Sequence, residues 1–172
     1  MVTYTFTNGS VADADQVNQN FDDVESNLQK VIYNDIGGST QSDTETLLKS
    51  ISIPAGVIKD NITITLTIAN VYYMYYHDDA TGNDYYGADK YYTTIKKNTS
   101  ELLKEFYETQ YTETTSHYNE RYKTFIVNYS PTNDEKNNGF TIDIYGHLHI
   151  PNTTNGADNA KIDVEHILIT GR

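Results

Sequence analysis

Between residues 13 and 33 the apolar side chains keep a spacing that few folds can use. Ala14, Val17, Phe21, Val24, Leu28 and Val31 follow one another at intervals of three, four, three, four and three. That is the a/d alternation of a heptad, held over about two and a half repeats. The positions between them are polar, from Asp15 and Gln16 through Asn18, Gln19 and Asn20 to Gln29 and Lys30. The stripe is therefore two positions wide per heptad rather than three, the width of a seam between helices. Asp13 offers an N-cap, with Gln16 three residues on. This pattern predicts a helix over 13–33 whose edge packs on copies of itself. The competing arrangement lays the same helix back on its own domain. So short a helix is marginal alone, and a head that also associates must help it.

After the break at Asn34-Asp35-Ile36-Gly37-Gly38-Ser39 the period changes from helical to two. Leu47, Ile51 and Ile53 are expected to share one face of a strand before Pro54. Ile62, Ile64, Leu66 and Ile68 alternate with Thr63, Thr65 and Thr67, a strand with one face buried. Continuing that phase puts Tyr73 and Tyr75 on the polar side. A polar loop is expected over 77–90. Residues 91–110 lean towards strand because β-rich segments flank them. Further strands are expected over 122–129, 140–150 and 161–170, with a turn at 133–139. Many short strands separated by turns argue for a mainly β head, a jelly-roll-like antiparallel sandwich.

The segment Gly9-Ser10-Val11-Ala12-Asp13-Ala14-Asp15-Gln16-Val17-Asn18-Gln19-Asn20-Phe21 resembles the opening of phage and prophage tail-fibre and head-fibre proteins. There, such a phrase begins a helix after a short arm. Thr46–Gly56 looks like the first strand of the β head in those proteins, and Ile167–Thr170 is similar to their closing strand. The resemblance implies an arm at 1–12 held on the particle through Val2, Tyr4 and Phe6. It implies a trimeric coiled coil at 13–33, a linker at 34–43 and a head at 44–172. The implied partners are two further copies and a capsid or tail protein of the same virus, and the implied location is the virion. Residues 72–120, rich in tyrosine and acid, depart from the family pattern.

Charge narrows the partners further. The chain of 172 residues carries a net charge of -12, which argues against nucleic acid and against anionic membrane. No apolar run is long enough to span a bilayer. The start lacks the basic and apolar regions of a secretory leader, so synthesis in a host cytoplasm is expected. There is no cysteine, hence no disulfide and no thiolate chemistry. No nucleophile elbow, phosphate loop or zinc-protease motif occurs, and the chain reads as non-enzymatic, with no cofactor.

Two sets of residues stand out as ligand candidates. Sixteen tyrosines include a group around an acidic stretch: Tyr73, Tyr75, Tyr85, Tyr86 and Tyr91, with Asp84. Aromatic rings stack on sugars and acids bind their hydroxyls, so these are candidate contacts to a host-surface glycan. The same rings also suit subunit contacts. His147 and His149 lie two apart on one strand face, a weak metal candidate that resembles the His-x-His pairs of some trimeric phage spikes. Asp78, Asp79, Asp84 and Asp89 lack EF-hand spacing, and a solvated acidic loop is the simpler expectation. Two alternatives stay open: a monomeric carbohydrate-binding module, and a capsid cement protein without a receptor.

Overall fold

The computed structural model describes residues 13–73, 76–78, 83–85, 90–108, 118–149 and 161–172. The first element is the helix α1, Ala14–Asn27. Asp13 caps it, its Oδ1 accepting from the Asp15 N–H at 2.8 Å. The helix stops earlier than the heptad pattern predicts. Leu28 is already extended, with φ -73 and ψ 137, and Val31 belongs to the strand β1, Lys30–Asp35. The physical reason is pairing: Val31 sits opposite Thr170, and backbone bonds to that strand replace helical ones.

The remaining strands follow in order. They are β2 Ser39–Thr40, β3 Thr46–Ile53, β4 Ile62–Tyr73, β5 Tyr76–Asp78, β6 Asn83–Tyr85, β7 Lys90–Lys97, β8 Ser100–Glu108 and β9 Tyr118–Tyr129. After a short helix α2, Asn133–Asn138, come β10 Phe140–His149 and β11 Lys161–Gly171. Sheet A has the order β1-β11-β4-β9, with β2 beside β11, and sheet B has the order β3-β10-β7-β8. Every pairing in both sheets is antiparallel. The protein is mainly β, two sheets packed as a sandwich, with one N-terminal helix.

The core lies between the sheets. Ile62, Ile64, Leu66 and Ile68 of β4 and Ile162, Val164, Ile167 and Ile169 of β11 meet Ile51, Ile53, Ile142, Ile144 and Leu148 from sheet B. Each such side chain contributes roughly 1.5–3 kcal/mol on burial, so a sandwich of this size holds without cross-links.

Three expectations change. Leu47 is half exposed while Leu48 is buried, because the register against β10 skips Leu48 and the bulge moves the inward phase by one. Residues 76–85 contain the hairpin β5–β6 rather than an unbroken loop. Residues 133–138 form a helical turn, because Thr132 and Glu135 make a reciprocal capping box.

The 34–43 segment is not a linker between stalk and head. It is built into the sandwich: the Gly37 N–H donates to Val164 O at 3.0 Å and the Gly38 N–H to Leu48 O at 3.1 Å. A Cβ on Gly37 would come within 2.5 Å of Val164, so this crossing between the sheets requires glycine. The head accordingly begins at β1 rather than at residue 44.

Candidate functional site

The helix leaves its apolar stripe largely uncovered. Phe21 is 66% exposed and Val24 46%; past the helix end, Leu28 (56%) and Val31 of β1 (64%) are exposed as well. Ala14 is exposed and Val17 half-buried. Val17, Asn20, Phe21 and Val24 line an open concavity along the helix. Among the described residues, Gln29 just past the helix donates from Nε2 to Thr170 Oγ1 at 2.6 Å, a tether on the outward side of β11. The helix is thus held near its end and presents its apolar edge to solvent.

The electrostatics of this helix are one-sided. Residues 13–29 hold Asp13, Asp15, Asp22, Asp23 and Glu25 and no lysine or arginine. In the heptad frame of the stripe, Asp15, Asp22 and Asp23 fall at outer positions. Asn18 and Asn20 fall beside the seam, with Glu25 the one charge there within the helix and Asp13 at its cap. Identical helices can therefore meet along the stripe while most of their acids remain hydrated.

Of the expected glycan contacts, Tyr91 is corrected. It is fully buried, on the inward side of β7 with Ile95, and belongs to the core. Strand parity explains this, since Tyr91, Thr93 and Ile95 alternate inward. Tyr73 ends β4, while Asp84 and Tyr85 lie in β6, where only the backbone is described. Tyr75 and Tyr86, and Val2, Tyr4 and Phe6 of the arm, lie outside the described residues.

His147 stands on the outward face of sheet B, stacked on Tyr92 across the ladder with centroids 5.1 Å apart. His149 is on the same strand, and its side chain is outside the described ones. No group of three or more His, Asp or Glu side chains positioned to hold a metal occurs among the described residues. Sequence reasoning missed the Tyr92–His147 pair. The signal was available, because both residues are outward and opposite once β7 and β10 are paired.

That face also carries charge. Lys96 Nζ bonds Glu45 at 2.5 Å and lies 4.2 Å from the centre of the Tyr145 ring. The row running through Asp143, Lys96 and Glu101 adds further charge.

Glu135 is a buried anion bonded to both sheets, through Lys97 and Tyr129. Burial pushes the Glu135 carboxyl upward, but bonds from Lys97, Tyr129 and Thr132 outweigh it and hold the group at about 2. Sequence reasoning saw a turn here, although Thr132 followed three residues later by Glu135 is itself a capping signature.

No protein-family model matches the chain, and no curated protein matches it in sequence. Among solved structures it is similar to the insecticidal delta-endotoxin Cry8Ea1 from Bacillus thuringiensis, at 6% identity and TM-score 0.44, over 77% of this chain and 19% of the toxin. It is also similar to the chain of the infectious bursal disease virus T13 particle, at 11% identity and TM-score 0.42, over 84% of this chain and 31% of that one. The T=1 particle derived from infectious bursal virus gives 12% identity and TM-score 0.43, over 85% and 32%. The chain spans a third or less of each of these proteins.

Proposed function

We propose that this chain is a non-enzymatic structural protein of a virus particle, a self-associating subunit whose helix joins copies and whose sandwich is the displayed head. The observation that carries the reading is the bare helix stripe. Phe21 and Val24 stand in water on the helix, with Leu28 exposed just past its end, on a chain whose sandwich buries a full core between its sheets. Large apolar groups at heptad spacing, flanked mainly by asparagine, make a surface that a second copy of the same helix covers.

The strand order supports the same class. With the two-residue β2 and the hairpin β5–β6 set aside, the eight long strands run first, eighth, third, sixth in sheet A. In sheet B they run second, seventh, fourth, fifth. This order supports reading the sandwich as a jelly roll, an architecture used by viral capsid subunits and by lectins. The likeness of residues 9–21 to virion fibre proteins favours the viral side, a three-helix seam and a decoration or fibre on capsid or tail. Host attachment, where the head provides it, acts through multivalency, since many weak contacts on one particle reinforce each other.

Immunolabelling of purified particles of the virus that encodes the chain tests the reading. Regularly spaced label on capsid or tail is expected. Label confined to soluble protein, with bare particles, overturns it.

A further inference from the structure

The outward face of sheet A differs from the rest of the surface. Across β1, β11, β4 and β9 the ladder sets outward residues in rows. One row is Val31, Thr170, Thr63 and Asn128. The next is Asn34, Leu168, Thr65 and Ile126. A third is His166, Thr67 and Thr124. These consecutive rows contain no Asp, Glu, Lys or Arg, in a chain that is 21% charged. Charges stand around them, at Lys30 and Asp35 of β1, Lys123 of β9, Glu165 in the β11 bulge and Asp163 beyond it. Ile126 is nevertheless 67% exposed, Val31 64% and the neighbouring Tyr122 62%. A centre depleted of charge inside a charged rim is the composition of a protein interface.

Most of the polar side chains in these rows already have hydrogen-bond partners within the chain. Thr63 Oγ1 donates to Asn128 Oδ1 at 2.8 Å, and the Thr67 and Thr124 hydroxyls are 2.9 Å apart. His166 Nε2 and Asn34 Oδ1 lie at 2.7 Å, and Thr170 accepts from Gln29. A polar group satisfied within its own sheet loses less when water leaves than one that depended on water. The face can therefore be dried without orphaning these groups.

We infer that the outward face of sheet A is a second self-association surface, through which the heads of neighbouring copies pack. The occupant follows from charge. At a net charge of -12, two copies repel each other over most of their surface. The neutral rows let them approach without opposing like charges. Sheet B, outward, carries Asp143, Lys96, Glu101 and Lys104 in adjacent rows and stays with solvent. The neutral face also adjoins the helix stripe, because Val31 and Gln29 meet Thr170. Helix and head then bury one continuous surface against other copies. This rests on the proposal that copies associate, and adds where the heads meet.

The test inserts a charge into the full-length chain. Ile126→Lys and Thr65→Lys place it in the neutral rows, and Ser52→Lys places it on exposed β3 of sheet B as the control. Mass by light scattering is followed against concentration, with thermal melting as the check on folding. Both sheet A variants are expected to raise the half-dissociation concentration at least tenfold at unchanged melting temperature, while Ser52→Lys leaves it where it was. If both folded sheet A variants associate like the parent, or if Ser52→Lys weakens association equally, the inference is overturned. Loss of association in Phe21→Asp alone leaves the helix proposal standing and removes this one. A parent chain that is monomeric at every concentration removes both.

Discussion

Lys97 Nζ lies 2.5 Å from Glu135 Oε1, while Glu135 Oε2 accepts from the Tyr129 hydroxyl at 2.6 Å. Lys97 ends β7 in sheet B and Tyr129 ends β9 in sheet A. One carboxylate therefore joins the two layers of the sandwich at the end where α2 crosses. Glu135→Gln keeps the shape but places an amide donor against donors. A loss of about 2 kcal/mol is expected from urea unfolding, since a charge-assisted bond goes and a buried donor is left unsatisfied.

The same carboxylate sets an acid limit. Its proton affinity is lower folded, at about 2, than in the ordinary unfolded range near 4.5. As pH falls, the unfolded chain takes the proton first, so stability falls with it. The contribution is complete above about pH 4.5 and is lost between there and pH 2. Urea midpoints at pH 5 and pH 2.5 should therefore converge for the parent and Glu135→Gln as acid is added. A gap of constant size would count against the carboxylate.

Gly139 is the C-cap of α2. It sits at φ +79, and an added Cβ would come within 2.7 Å of Ile53 O. Gly139→Ala combines left-handed strain with a backbone clash, so a loss of roughly 2 kcal/mol or more is expected in thermal melting. Gly56 makes the comparison: its φ is +74, but nothing lies within 4 Å of the added Cβ. Gly56→Ala should cost less, about 1 kcal/mol.

Much of the head could be read from the chain, and its failures have local causes. Ile62 to Ile68 alternate without a break, and the buried face is the one their spacing predicts. The alternation places Leu47 inward because a bulge leaves no mark on the sequence before it. Leu28 and Val31 continue the heptad count only by coincidence of period, since β1 begins between them. Tyr91 looked like a surface ring because an acidic stretch precedes it, but its parity with Ile95 was the stronger signal. The exposure of Phe21 could not be read at all, because the same stripe suits a helix laid on a sheet.

Tyr91 supplies a direct check on that correction. Tyr91→Ala should destabilise the fold by about 3–5 kcal/mol, the range for deleting a buried aromatic side chain. A variant with an unchanged melting temperature would contradict its place in the core.

The central claim is that the stripe of α1 is covered by other copies of this chain. The most direct measurement is the solution mass of the full chain and of Phe21→Asp by multi-angle light scattering, each with its melting curve. The expected result is an oligomeric parent and a Phe21→Asp variant of lower mass that melts as a folded sandwich, because Phe21 touches solvent rather than the core. A parent that runs as a monomer at high concentration, or a variant that keeps the parent's mass, would contradict it.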